Sequence, residues 1–342
     1  MTRKHILLTI LAISVIAAVV VIIGANPSPV NYEDKRQPGE IVVTISSDLG
    51  YNINTDKVLE KIRRLKPDFH LTLGDFSYSE ITPETEWCKY VRQTIGDEIP
   101  FQVVAGNHES DGLDGHIDNF IKCLPNMIDG VVGDYGKEYY FDYPQNNPSA
   151  RFILISPELH FNNGTTTYGP KTKNLAWLEA AINGAREDSI PWVIVGMHKD
   201  CIRSAPITCA IGPYLMNYLI RKRVDLILQA HAHVYLRSKQ LNCVIAVERG
   251  IGFDENCVVP NKLPSVYEKG KGPIVIVDGT GGQPIRAVDQ NDAAIQYFET
   301  IMRLGENATH GVVKLTIARE QLRSEYVSAT DVNFVDTCVI KQ

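Results

Sequence analysis

The chain has 342 residues, 44% of them hydrophobic and 22% charged, ordinary globular values that exclude a disordered or low-complexity protein. This length accommodates about two domains or one large α/β domain. Thirty-four Lys and Arg against forty Asp and Glu leave a net charge of -6, without the basic footprint of a nucleic-acid binder.

Residues 1–5 carry Arg3 and Lys4, and Ile6 to Ala25 is an uncharged run interrupted only by Thr9, Ser14 and Gly24. As a helix this run is ~30 Å long, enough to cross a bilayer core. It also exceeds the ~7–15 residues of a signal h-region, which favours an uncleaved anchor, although Ile23-Gly24-Ala25 offers a cleavage site that would make the protein secreted. The positive flank precedes the run, so residues 1–5 are expected in the cytoplasm and everything after about residue 26 outside. Residues 26–39 read as a polar tether and 40–342 as one outward-facing domain.

From Glu40 onward, short β-branched runs alternate with amphipathic stretches, the pattern of an α/β fold. Strands are expected at Ile41–Ser46, Phe69–Leu73 and Pro100–Ala105, with helices at Thr55–Leu65 and Glu84–Ile95 between them, a βαβαβ start. Tyr139–Tyr143 and Arg151–Ile155 read as strands, Asn174–Arg186 as a helix, Trp192–Gly196 as a strand, Tyr214–Lys222 as a helix and Val224–Gln229 as a strand. Strands near Val244 and at Ile274–Val277, Val312–Ile317 and Ser324–Val327 complete the chain.

Seven cysteines fit an oxidising compartment. Cys201 and Cys209 form one close pair and Cys243 and Cys257 another; Cys88 with Cys123 is a third pairing, leaving Cys338 free. Buried free thiols are the alternative for any one pair. Sequons at Asn163 and Asn307 agree with an external, glycosylated protein.

Five expected strands end in polar clusters: Ser47-Asp48-Leu49-Gly50, Gly74-Asp75-Phe76-Ser77-Tyr78, Gly106-Asn107-His108-Glu109, Val195-Gly196-Met197-His198 and Ala230-His231-Ala232-His233. Singly, each suits a turn, a cap or a core histidine. Together they bring oxygen and imidazole donors to the carboxyl ends of strands, where α/β sheets bind ligands, and a metal site explains the set better.

This series resembles the calcineurin-like metallophosphoesterases, and more closely the purple acid phosphatases, whose motifs run GDxG, GDxxY, GNH[DE], VxxH and GHxH. Gly279-Thr280-Gly281-Gly282 resembles that family's late glycine-rich segment. General metallophosphoesterases carry a histidine ligand where this chain has Gly50, and Tyr78 supplies the donor instead, as in purple acid phosphatases. Ser47 and Ala230 depart from the pattern by replacing glycines.

The resemblance implies a four-layer αββα sandwich, here preceded by the N-terminal transmembrane helix expected from the 6–25 run. It implies one ion on Asp48, Asp75, Tyr78 and His233, and a second on Asn107, His198 and His231 with Asp75 shared between them. Fe(III) with a divalent Fe, Zn or Mn is expected, because a phenolate beside carboxylates favours a trivalent ion. The implied reaction is hydrolysis of phosphate monoesters by a metal-bridging hydroxide, with His108 as the leaving-group acid and Glu109 as its orienting partner or a structural cap. The expected partners are a small phosphoester and, through the N-terminal helix, a membrane. Plant members have further substrate-facing histidines after the fourth motif; Lys199, Arg203, His116 and His160 are this chain's candidates for that task, a surface role being the default for each. A phosphodiesterase or nucleotidase on the same scaffold is the alternative enzyme, and a non-catalytic surface interaction module the alternative from another class.

Overall fold

In the first strand, Ile41–Ser46, alternate side chains turn to opposite faces of a sheet and every residue is buried. Asn52 then caps the helix Ile53–Leu65, its side chain accepting from the Asn54 and Thr55 amides. Phe69–Thr72 and Phe101–Val103 follow, each parallel to its predecessor, so the expected βαβαβ start is present. These coordinates are a computed structural model that describes residues 36–37, 39–202, 209–248 and 250–342. The hydrophobic run 6–25, nearly all of the tether and Arg203 lie outside them; among the described residues no helix is long and apolar enough to cross a membrane.

The first three strands form one end of a seven-stranded sheet that Gly311–Ile317, Gln321–Ser328, Asp336–Lys341 and Val266–Glu268 complete. An eight-stranded sheet runs in the order Phe298–Ile301, Tyr235–Ser238, Ile274–Asp278, Leu226–Gln229, Trp192–Gly196, Ala150–Leu154, Glu138–Tyr143, Val132–Asp134. Its four strands from Ile274–Asp278 to Ala150–Leu154 are mutually parallel.

Alternation along the strands builds three cores. Val43, Ile45 and Leu71 meet Phe152, Ile194, Leu228 and Ile276 between the sheets. Phe101, Val103 and Val312 pack against Val58, Ile62, Trp87 and Val91 of the helices Ile53–Leu65 and Glu84–Ile95. Val193, Val195 and Ile227 pack against Leu178, Ile182, Leu215 and Leu219 of the helices Lys173–Glu187 and Pro213–Arg221. The layers are therefore helix, sheet, sheet, helix. Arg36 to Gln342 is one compact unit, with Arg36 paired to Asp68 at 3.0 Å.

Most expected elements occur within a few residues of their expected bounds. The Pro100–Ala105 strand is shorter, ending at Val103: the Val104 amide still donates to the Thr72 carbonyl at 3.2 Å, but Val104 also bridges Gly136 and the Ala105 amide donates to the Gly136 carbonyl at 2.8 Å. The strand near Val244 is Ile245–Val247, an exposed hairpin partner of Gly250–Gly252. Cys88–Cys123, Cys201–Cys209 and Cys243–Cys257 are bonded, and Cys338 is buried and free.

Candidate metal centre

The five loops converge where the carboxyl ends of the two sheets meet. Asp48 and Asp75 follow the first and second strands, and their loops are stitched by amides: Leu49 donates to the Asp75 carbonyl at 3.0 Å and Gly50 to Phe76 at 2.7 Å. Asp48, Asp75, Tyr78, His231 and His233 all have φ between 49° and 67°, a left-handed backbone that costs free energy in residues other than glycine. These turns aim the donors inward. Gly106 permits the closest approach: a Cβ there would stand 2.0 Å from Asp75 Oδ1. Gly279 is similar, since a Cβ would lie 2.8 Å from Asp48 Oδ2, and the Gln283 amide donates to the Asp48 carbonyl at 3.0 Å. The glycine-rich segment thus backs the first motif. Ser47 and Ala230 do not have positive φ, and Ser47 Oγ donates to Leu73 and Gly74 carbonyls at 3.1 and 3.0 Å, so these two turns do not require glycine.

The seven side chains form two donor sets that share one atom. Tyr78 Oη lies 2.9 Å from Asp48 Oδ1, 3.2 Å from Asp75 Oδ2 and 3.1 Å from His233 Nε2. On the other side, His198 Nε2 lies 3.1 Å from each of Asp75 Oδ2, Asn107 Oδ1 and His231 Nδ1. Donors bonded at ~2.1 Å around an octahedral cation stand ~3 Å apart, so both sets have the spacing of ligands to one ion each. Asp75, His198 and His231 in particular meet within 4.8 Å. The His198 ring is aimed by its Nδ1, which donates to the Leu73 carbonyl at 2.7 Å and leaves Nε2 for the site.

Burial works to raise the Asp48 carboxyl, but the His233 hydrogen bond and the nearby histidines hold it well below the usual carboxylate range. Burial likewise opposes the charged forms of Asp75 and His198. Their mutual attraction wins, lowering Asp75 and raising His198 to about 9. The Tyr78 phenol is pushed far up by burial and by the Asp48 and Asp75 carboxylates. Such a phenol ionises only against a strongly attracting cation.

His108 stands beside the donor sets rather than within them. Its Nε2 is 3.7 Å from Asp75 Oδ2 and its side chain 29% exposed, so it faces the opening. Its Nδ1 contacts the Asp114 carboxylate. The Asp114 amide donates to the His108 carbonyl at 3.2 Å, and the Asp114 carbonyl accepts from Ser77 Oγ at 3.2 Å. Asp114 is therefore the orienting partner expected of Glu109. Glu109 acts as the cap: buried, it accepts from the Asp75 and Gly106 amides at 2.9 and 3.0 Å through Oε2, and from the Phe76 amide at 2.7 Å through Oε1. Burial and the Asp75 charge raise its carboxyl to about 8. Lys199 reaches the Glu158 carbonyl at 2.6 Å. His160 is exposed and pairs with Thr165 at 2.9 Å, while His116 precedes the short helix Ile117–Cys123; neither hydrogen-bonds to the seven donors. Asp114 was not legible as a partner, since only the path of the 111–115 loop brings it back to His108.

Residues 41–235 match the family model described as calcineurin-like phosphoesterase. Purple acid phosphatase 18 of Arabidopsis thaliana is 23% identical over 220 residues, which cover 61% of this chain and 47% of that protein. The Fe(3+)-Zn(2+) purple acid phosphatase 12 of the same plant is 24% identical over 254 residues, 69% of this chain and 49% of that protein. A purple acid phosphatase structure from yellow lupin (Lupinus luteus) seeds superposes with a TM-score of 0.65 at 19% identity, covering 89% of this chain and 54% of that one. The chain thus spans about half the length of the curated relatives it matches. The family match takes in more than half of the chain, including all seven donors and His108, and on that ground the chain belongs to the calcineurin-like phosphoesterase family.

Proposed function

We propose that this chain is a metal-dependent phosphatase that hydrolyses small phosphate monoesters at a centre of two ions. The observation that carries the reading is the division of the donors around one shared oxygen, Asp75 Oδ2, with Asp48, Tyr78 and His233 on one side and Asn107, His198 and His231 on the other. Two cations held there would acidify a water and neutralise charge on the ester oxygens. The Tyr78, Asp48 and Asp75 set suits Fe(III), and the imidazole-rich set suits a divalent Fe, Zn or Mn. The chain's own residues do the rest. Asp75 and Asp48 are fixed by amides, so little reorganisation is needed as charge develops. His108 turns Nε2 to the opening and donates a proton to the departing alkoxide, while Asp114, which as a carboxylate only accepts, holds the Nδ1 proton.

Three disulfides and an exposed Asn163 sequon support an exported protein. With the 6–25 run as an anchor, the phosphatase domain would face outward from the cell membrane; N-terminal sequencing tests this, and a mature start near Asn26 would sink the anchor.

Assay of the purified chain on a panel of phosphomonoesters and diesters, alongside metal analysis, tests the function. Turnover of monoesters with bound metal is expected. Preferred turnover of diesters would make it a phosphodiesterase, and a metal-free, inert protein would make it an interaction module.

A further inference from the structure

We propose that Lys199 is a specificity-determining residue, a fixed cation that makes the site favour phosphomonoester dianions over diester monoanions. The inference rests on the phosphoesterase reading above and concerns a residue outside its metal and proton-transfer machinery.

Lys199 directly follows His198 in the loop after Trp192–Gly196. That strand is parallel to Ala150–Leu154, with Leu154 opposite Gly196, so the loops after both strands leave the same sheet edge. Lys199 crosses from one to the other, its Nζ donating to the Glu158 carbonyl at 2.6 Å. Glu158 sits in a turn with φ 57°, closed by its amide on the Thr166 carbonyl at 2.8 Å. The lysine therefore leans towards Ala150–Leu154 and away from Leu226–Gln229, which carries His231 and lies on the other flank. His108 is on that same side: its strand, Phe101–Val103, is tied to the neighbouring Glu138–Tyr143 strand by Tyr139 Oη donating to the Val103 carbonyl at 2.8 Å.

Lys199 is half-buried and directly follows the donor His198, whose Nε2 lies 3.1 Å from Asp75 Oδ2. Among the described residues the lysine forms no ion pair with a carboxylate. One N–H is spent on a neutral carbonyl, so two N–H groups and the charge remain for an anion. No histidine occurs between Lys199 and Gln229 to share that task. A fixed cation attracts a dianion about twice as strongly as a monoanion at the same place, so it selects for the ester with the extra ionised oxygen.

The test uses the full chain with metal content verified, as wild type, Lys199→Met and Lys199→Arg, on 4-nitrophenyl phosphate and bis(4-nitrophenyl) phosphate. Both esters release the same phenolate, which cancels differences in protonation of the leaving group. Lys199→Met should lose ~10- to 100-fold in kcat/KM on the monoester and less than ~3-fold on the diester, the size of one charge-assisted hydrogen bond. Lys199→Arg should keep most of the preference. Equal losses on both esters in Lys199→Met would overturn the proposal. A binding readout is independent of turnover: in wild type, inorganic phosphate should slow acetylation of Lys199 several-fold, read by mass spectrometry after a short pulse, whereas dimethyl phosphate should not. Acetylation indifferent to phosphate would also overturn it. A wild type inert to both esters defeats the phosphatase reading instead, and acetylation alone then decides Lys199.

Discussion

Tyr78 Oη stands 2.9 Å from Asp48 Oδ1, a phenol pressed against a carboxylate that holds its proton on. Only a strong Lewis acid between them reverses this preference, and a phenolate on Fe(III) gives visible charge-transfer absorption. The iron-loaded, oxidised protein should be coloured, and Tyr78→Phe should bleach it while far-UV circular dichroism stays unchanged. A colour that survives the substitution would remove Tyr78 from the ligand set.

His108 has Asp114 at one ring nitrogen and the opening at the other. A general acid contributes ~10²–10⁴ in rate where the leaving group is a strong base. His108→Ala should therefore slow glycerol phosphate much more than nitrophenyl phosphate, and Asp114→Asn should change the ratio in the same direction by less. Equal kcat/KM losses on the two esters would place His108 outside the proton transfer.

Gly106 has room for no side chain, because a Cβ would lie 2.0 Å from Asp75 Oδ1 and 2.5 Å from the Asp75 amide. Gly106→Ala should displace the shared carboxylate and lower metal content and activity together. Gly169→Ala, also at a φ that is not positive and with only Thr172 Cγ2 at 3.9 Å from the added carbon, is the control for replacing a glycine where there is room. Full metal occupancy in Gly106→Ala would mean that the Asp75 loop yields where this packing says it is fixed.

These predictions draw unequally on the sequence. The candidate donors and their convergence were legible because each follows a strand, and strand ends are marked by apolar runs giving way to polar ones, as at Ile45-Ser46-Ser47-Asp48. For Glu109 the cap and the orienting role were both legible without a choice between them, and the role of Asp114 was not legible. Both acids lie near His108 in the chain, and the choice between them depends on Glu109 turning under Asp75 while the following loop folds back over the ring. The short strands Tyr235–Ser238 and Asp336–Lys341 also went unread. In the first, the charged Arg237 is buried by pairing with Asp336 of the second at 2.7 Å, so neither reads as apolar until both sheets are in place.

His70 predicts the acid limit of stability. Buried, with Nδ1 and Nε2 2.9 and 3.1 Å from the Thr44 and Ser46 hydroxyls, it is held neutral, its pKa lowered by burial from 6.5 to about 3. The unfolded chain takes up the proton first as pH falls. The contribution of His70 is thus complete above pH 6.5 and declines towards pH 3, by about 1.4 kcal/mol per unit. Urea unfolding of wild type at pH 7 and 4.5 should show a drop that His70→Asn reduces by about 2–3 kcal/mol. The same drop in both proteins would show that His70 titrates normally.

The division of seven donors around Asp75 Oδ2 is tested most directly by counting metal ions per chain in wild type, His231→Ala and Asp75→Ala. His231 belongs to one set and Asp75 to both. About two ions are expected in wild type, about one in His231→Ala and well under one in Asp75→Ala. A single ion in wild type, or the same count in both variants, would contradict that division.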